Sequence, residues 1–427
     1  MQTNKISYTK EVWVIAGTNA IIAFGYGLSI PFFTIYLSVE KQLAASLIGL
    51  ILAFAMGLTA VGNAISGELS DVIGRKKVML IGLSLTFVFI NLIALCIKLN
   101  THYLWVIISY FLACFAMSFF RPSSNAYIAD TVAPNKRVQA FGAIRTGLNF
   151  GWAIGPAVGG YFALKSYSLT FSITSLFYLT AFFVILTTIP KLKKITKQTK
   201  SNFTDTLSCL KDKRFAKFCL SALIIAAGMS QLFVSLPLHA TNFLNMPSSY
   251  VGLLLSVNGA TVVLFQIWMT KFTSKIRITL AMFLGCILFA MGYLTIGFSN
   301  FIGSSNVWLF GFTGIFFITA LGVMFFSFAE TAVLPGTHTL PANIAPEGKK
   351  GRYIGMQGMV HQGGIAFGIL IGGFMVNYFS VIWTPIPWIV TAIAVFFAGY
   401  GILRLKKNLT LKEEGLHENL LTKKATA

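Results

Sequence analysis

"PKLKKITKQTKSNFTDTLSCLKDKRF" occupies residues 190–215 and is the one long polar interior segment of a 427-residue chain that is 56% hydrophobic and 11% charged. Its position divides the rest. Six apolar windows precede it, at about 12–36, 46–66, 78–97, 103–128, 139–163 and 168–189. Six follow, at about 216–240, 249–270, 278–298, 308–334, 353–378 and 383–404. Each is close to the roughly 20 residues a helix needs to cross a bilayer core. A soluble domain carries roughly 25% charged residues, so a soluble fold is excluded. The expected architecture is an all-α integral membrane protein, with twelve transmembrane helices in two six-helix, pseudo-symmetric bundles. Residues 1–189 form the N-terminal bundle, 190–215 a cytoplasmic linker, 216–405 the C-terminal bundle and 406–427 a cytoplasmic tail. The first apolar stretch is too long for a signal peptide and lacks a small-residue cleavage pattern, so it reads as a retained span.

The net charge of +21 follows the same topology. With the N-terminus inside, 28 of the 33 lysines and arginines fall on cytoplasmic segments. Lys41, Lys98 and Lys165 fall outside, and Arg121 and Arg145 within spans. This positive-inside asymmetry sets both termini in the cytoplasm of a multi-pass plasma-membrane protein. The basic excess therefore reports orientation and implies no nucleic-acid partner. The five cysteines have no paired spacing and read as small buried hydrophobes. No Cys/His cluster has metal-ligand spacing. No Gly-rich loop with the Lys-Ser/Thr of an ATP site is present. No cofactor is expected, which leaves an ion gradient as the energy source.

The two halves are related. "SLIGLIL" (46–52) recurs as "SYVGLLL" (249–255), and "SIP" (29–31) as "SLP" (235–237). Gly142, Gly151, Gly155, Gly159 and Gly160 recur at one ungapped offset of 213 residues as Gly355, Gly364, Gly368, Gly372 and Gly373. Parallel repeats of six spans place a substrate site near the midplane between the halves and imply alternating access by rocking.

Two motifs stand out within that frame. "GELSDVIGRKK" (67–77) puts acids and bases between the second and third spans. Gly67 and Gly74 permit a tight turn, and Asp71 and Arg75 are spaced to pair with each other or with a neighbouring helix end. "GLNFGWAIGPAVGG" (147–160) repeats glycine every fourth residue. That makes a smooth helix face for close backbone approach, bent where Pro156 removes a donor.

Over nearly its whole length the chain resembles the major facilitator superfamily. "GELSDVIGRKK" is similar to that family's loop signature, with Val72 where an arginine is frequent. The resemblance implies a cytoplasmic gate in which Gly67, Asp71, Gly74, Arg75 and Lys76 work with Asp130, the acid of "NAYIAD" at the inner end of the fourth span. The second-half counterpart "TKFTSKIR" (270–277) has Ser274 where the aspartate falls, so the gate is expected in the first half only. The run Gly151, Gly155, Pro156, Gly159, Gly160 resembles the fifth-span motif of drug/proton antiporters; its repeat has Ile369 in place of Pro156.

Glu330, in "FFSFAETAVLP", is the one acid expected well within a span. Burying an acid at the centre of a membrane helix costs roughly 2.5–3.5 kcal/mol, and intramembrane ionisable residues read as functional by default. Glu330 is therefore the proton-coupling candidate. Its E-x4-P spacing to Pro335 also resembles the tenth span of multidrug antiporters. "SQLFVSLPLH" (230–239), where such proteins add an acid in the seventh span, has none. Arg121 pairs with Glu330, snorkels to the interface or anchors an anionic substrate; the sequence leaves the three open. Asn19, Tyr26, Gln231 and His361 either line the cavity or serve as packing hydrogen bonds between helices.

The expected function is a proton-coupled, multidrug-type exporter of amphipathic or hydrophobic small molecules, monomeric and with no enzymatic activity. Its partners are the substrate, protons and the lipid bilayer. One alternative is a transporter of an anionic metabolite or siderophore held by Arg121. A more distant alternative, a membrane acyltransferase, lacks a nucleophile or His/Asp constellation at either interface.

Overall fold

The structure, a computed structural model, describes residues 10–132, 137–191, 208–303, 306–309, 311–346 and 350–415. Most of the expected linker and the end of the tail lie outside these residues. The chain is a succession of long helices. α1 (Lys10–Ile35) runs on as a π turn to Glu40, followed by α2 (Ala45–Ile73) and α3 (Arg75–Lys98). The fourth span is broken into α4 (Tyr103–Met117) and α5 (Phe120–Thr131), and α6 (Arg137–Lys165) and α7 (Tyr167–Thr188) complete the first half. The seventh span is broken into α8 (Lys213–Met229) and α9 (Ser235–Asn242). After it come α10 (Ser248–Thr273), α11 (Ile278–Gly297), α12 (Gly314–Ile344), α13 (Lys350–Tyr378) and α14 (Ile386–Leu405).

Among the described residues, eleven spans are long and apolar enough to cross a membrane, counting α4–α5 and α8–α9 as one each. α6 separates that count from twelve. At 29 residues it reaches about 43 Å, but its glycines, Asn149 and Arg145 make it less apolar than the rest. Apolar side chains such as Leu264, Ile267 and Trp268 of α10 stay exposed on the protein surface, as lipid-facing residues do.

Capping explains where helices start. The Asp212 carboxylate accepts from Arg214 N (2.9 Å) and Phe215 N (3.4 Å) to open α8. Ser166 accepts from Leu169 N at α7, and Thr313 from Phe316 N at α12. Each side chain satisfies an amide that has no partner in the first helical turn. The turns before α2, α4 and α10 pass through left-handed Gln42, Asn100 and Asn245, a conformation asparagine tolerates better than most residues.

Two sequence expectations are corrected. Gly67 does not form a turn, because α2 continues through it to Ile73. Only Gly74, at φ +100°, reverses the chain. "GELSDVI" is helical because nothing in it breaks the backbone ladder, and one left-handed glycine suffices to start α3. The tenth span does not begin at about 308, since Val307–Leu309 pairs with Phe312–Thr313 in a small antiparallel hairpin around left-handed Gly311. α12 starts behind it and carries on through Pro335 and Pro341 to Ile344.

Two units emerge, and they do not quite follow the halves. The first comprises Met1–Leu43, Ile51–Lys197 and Pro247–Gly259; the second comprises Ala44–Leu50, Gln198–Met246 and Ala260–Ala427. The exchanged pieces are the starts of α2 and α10, the segments that carry the repeated "SLIGLIL" and "SYVGLLL".

In the first unit, Val12 and Ile15 of α1, Leu83 of α3, Tyr127 of α5 and Tyr178 of α7 form one buried cluster. In the second, Phe289 and Tyr293 of α11 pack on Phe326 of α12. The tail contributes to the second unit. Fully buried Glu414 accepts from Thr279 N (3.0 Å) and Thr279 Oγ1 (2.7 Å) at the start of α11. Neighbouring Glu413 pairs with Arg214 at 3.1 Å. A carboxylate there meets the positive end of the helix dipole. The start of α11 is thus held by acids from beyond α14, where the repeat lacks the first-half aspartate. Ser274 Oγ donates only to its own helix, at Lys271 O.

Candidate functional site

The α2–α3 turn assembles an ion triad. Arg75 NH1 donates to Asp71 Oδ1 and to Ser70 Oγ (2.6 Å), and Arg75 Nε donates to Asp130 Oδ2 (3.1 Å). Gly74 sets the angle, so the guanidinium fork faces back along α2 and across to the end of α5. Lys76 Nζ donates to Leu186 O of α7 at 2.7 Å. The side chains of Arg75, Asp71 and Asp130 are 15%, 27% and 23% exposed, so solvent screens the pairs only in part. All three lie in the first unit, where they tie the end of α2, the start of α3 and the end of α5 to one another. Gly67, on α2 one turn before Asp71, has open space beside it.

Arg75→Ala is expected to lower stability by about 1–2 kcal/mol, because two carboxylates then face each other unpaired. Arg75→Lys should recover only part, since an ammonium cannot fork to two acids. Thermal unfolding in nanodiscs measures both; a lysine variant as stable as wild type would show that the fork is not needed.

The glycine motif builds close helix contacts in the first unit. A Cβ on Gly151 would lie 2.5 Å from Ala20 O, and one on Gly155 2.5 Å from Phe24 O, both backbone atoms of α1. Gly159 meets Leu28 in the same way. The second unit repeats this contact between α13 and α8, with Gly364 on Leu223 O, Gly368 on Ala227 and Gly372 on Gln231. Four residues separate successive contacts on both partners; Gly151, Gly155, Gly159, Gly364 and Gly368 meet a facing backbone, and Gly372 makes room for the Gln231 side chain. Gly142 and Gly355, the fifth matched pair, have nothing within 4 Å and do not belong to the contact.

Gly160 and Pro156 turn to the exchanged segments. Gly252 at the start of α10 lies on Pro156 O, and its Cβ would come 3.1 Å from Gly160 Cα. In the second unit Gly49 at the start of α2 lies on Gly373, whose Cα is 3.0 Å from the position of a Gly49 Cβ. Pro156 has a partner that the sequence did not suggest: next to the proline, Ala157 N donates to Ser256 Oγ of α10 at 2.9 Å. A proline interrupts the helical ladder, and Ser256 binds an amide beside the gap.

The residues expected to line a cavity separate into two sets. In the first unit, Asn19 is buried and its amide donates to Ile15 O of its own helix at 2.8 Å. Tyr26 is half-buried and packs edge-on against Trp152 of α6 with ring centroids 5.4 Å apart. Tyr178 Oη is buried without a protein partner among the described residues. Arg121 is exposed on α5, although Phe120 and Tyr127 of the same helix are buried. Among the described residues no ion pair includes its guanidinium.

In the second unit, Gln231 acts as a staple. Its Nε2 donates to Ala227 O and Gly368 O (both 2.8 Å), and Ser235 Oγ donates to its Oε1 (2.5 Å). It holds the broken seventh span to α13. Glu330 is half-buried at the midpoint of 31-residue α12. His361 is half-buried on α13, three residues before Gly364 and so on a similar face. Sequence reasoning passed over His239, whose two ring nitrogens are buried with no hydrogen-bond partner.

Helices of membrane-spanning length, paired repeats and a charged α2–α3 turn define a transporter of the major facilitator class. The chain belongs to the Major Facilitator Superfamily, whose family model matches residues 15–327. It is 25% identical over 357 residues to the uncharacterized MFS-type transporter YdeE of Escherichia coli, covering 83% of this chain and 86% of that one. It is 26% identical over 266 residues to the quinolone resistance protein NorA of Staphylococcus aureus, covering 61% and 66%. Among solved structures, a peptide transporter POT in complex with sulfate superposes with a TM-score of 0.78 at 13% identity, covering 97% of this chain and 98% of that one. At that identity the likeness concerns the fold.

Proposed function

We propose that this transporter exports amphipathic or hydrophobic small molecules in exchange for protons, by alternating access, from the cytoplasm across the plasma membrane, as a monomer with both termini inside. The observation that carries the reading is Glu330, a half-buried acid at the centre of a membrane helix. Such a group is costly to insert and can exchange a proton when water reaches it from either side. The glycine faces support the reading, because contacts without side chains can part and re-form without repacking. The similarity to the quinolone resistance protein NorA adds support for the substrate class. Under this reading the ion triad braces the cytoplasmic gate and Tyr26 belongs to the substrate surface.

The test is a panel of hydrophobic cations and neutral amphiphiles in proteoliposomes with an imposed pH gradient. Substrate should accumulate on the acidic side and drive protons the other way. Accumulation that ignores the gradient would remove proton coupling.

A second reading replaces the hydrophobic substrate by an anionic one and rests on Arg121, an exposed guanidinium inside a span with no ion pair among the described residues. Under it, Arg121→Ala abolishes transport of anions and spares that of cations. The superfamily assignment leaves no place for the membrane-enzyme reading.

A further inference from the structure

A groove of about 330 Å³ runs along the surface of the second unit between α10 and α11, with α12 beneath it. Its rim is large and exposed: Trp268 (77%) and Phe272 (57%) of α10 and Leu284 (40%) of α11. Its floor is small and buried: Ala281 and Gly285 of α11 and Ala332 of α12. A Cβ on Gly285 would lie 3.2 Å from that of Ala332, so the two helices meet there with little side chain between them. The one polar lining residue, Thr273, donates its hydroxyl to Met269 O at 2.9 Å, within its own helix. From Phe265 to Thr273 the groove follows α10 for about 12 Å and continues along the turn to Ile276. One leaflet supplies about 15 Å of a hydrocarbon core of roughly 30 Å, so the groove is about as long as one leaflet is deep.

The groove ends among bases. Ile276, the last of its lining residues before α11, stands between Lys275 and Arg277. Lys271 follows Trp268 by three residues and so borders the same helix face. Ser274 N, Lys275 N and Ile276 N donate to Thr270 O, Phe272 O and Thr273 O at 3.0 to 3.3 Å, which fixes the turn. No acid occurs in the sequence between Asp212 and Glu330. Among the described residues no ion pair includes Lys271, Lys275 or Arg277. The acids beside the start of α11 are engaged elsewhere, Glu414 by Thr279 and Glu413 by Arg214. The α2–α3 turn differs, because its Arg75 has Asp71 and Asp130.

We propose that the groove and this turn form one site for an anionic phospholipid of the bilayer, with an acyl chain along α10 and α11 and the phosphate on Lys271, Lys275 and Arg277. The two ends of the site match the two ends of that molecule. Basic clusters beside membrane helices bind anionic headgroups, and lysine and arginine are strong donors to phosphate oxygens. A neutral amphiphile would fill the groove and leave three bases without a counter-charge. A second copy docked by the same face in two-fold symmetry would set these bases against one another. The bilayer thus supplies to the second unit the negative charge that the first unit draws from its own chain. The site is independent of the substrate and of proton exchange.

The test uses full-length protein in phosphatidylcholine nanodiscs doped with phosphatidylglycerol that carries a photoreactive diazirine on its acyl chain. Illumination and peptide mass spectrometry should place adducts within residues 265–288. They should exceed those from a phosphatidylcholine probe with the same chain by about tenfold or more, since each base near an anionic surface contributes about fivefold in affinity. Joint replacement by Lys271→Gln, Lys275→Gln and Arg277→Gln should bring the two probes level. Ala332→Leu, or Ala281→Leu should that variant fold better, fills the floor and should lower labelling by both. Equal labelling by the two probes in the wild-type protein, an excess that survives the triple replacement, or labelling that ignores the filled floor overturns the proposal. Adducts that join one copy of the chain to another through this face overturn it as well.

Discussion

Gly155→Leu is expected to abolish transport and to lower the thermal unfolding temperature of the purified protein. The first new atom, Cβ, would stand 2.5 Å from Phe24 O and 3.3 Å from Gly27 Cα. Both are backbone atoms of α1, so no rotamer change clears the space and the helices must separate. Overpacking of this kind typically costs about 1–3 kcal/mol even in soluble cores, where side chains can adjust. In a membrane, where close packing itself drives helix association, separating α1 from α6 weakens the neighbouring contacts at Gly151 and Gly159 as well. Gly368→Leu, the repeat-related change against Ala227 of α8, should be equally severe. Gly142→Leu is the control: nothing lies within 4 Å of Gly142, and leucine is the better helix former by about 0.8 kcal/mol or somewhat less. Expression, unfolding temperature and transport should stay near wild type. If Gly155→Leu behaves like Gly142→Leu, the glycine spacing has no bearing on how the helices meet.

Glu330→Gln is expected to stop uphill transport driven by a pH gradient, down to the level of vesicles without protein. Glutamine copies the shape of the protonated acid and its capacity to donate, so the fold of α12 around Ala329 and Val333, both packed on Gly285 of α11, should persist. What it cannot do is release a proton. Downhill movement of a neutral substrate should therefore continue at a rate of the same order, whereas substrate-induced proton flux disappears. Glu330→Asp keeps the charge on a shorter arm and should restore partial coupling. A glutamine variant that still moves protons and substrate at the wild-type ratio would make His361 the next residue to test.

The sequence exposed more of the frame than of the chemistry. Span positions follow from apolar runs, and most edges agree because polar residues and caps such as Asp212 mark them. The offset of 213 residues between glycine sets anticipated two equivalent contacts, and the structure adds the partners: α1 for one and α8 for the other. Gly67 was misread because a glycine beside acids looks like a turn, whereas only the backbone angle at Gly74 makes one. The hairpin at 307–313 was hidden inside an apolar run, since burial in lipid and burial in a strand use the same residues. Glu414 gave no signal: an acid in a charged tail looks solvated until Thr279 is seen to donate to it. His239 was passed over because its segment was searched for a carboxylate, and because an unpaired imidazole is defined by neighbours on α11 and α14, far away in sequence.

The exchanged starts of α2 and α10 have a consequence for biogenesis. When the sixth span has left the ribosome, Gly160 still lacks its cover, because Gly252 has yet to be made. The first repeat therefore enters the bilayer with one helix face incomplete, and is finished only when residues 247–259 arrive. The dependence runs both ways, since Gly49 waits for Gly373, which is made long after it.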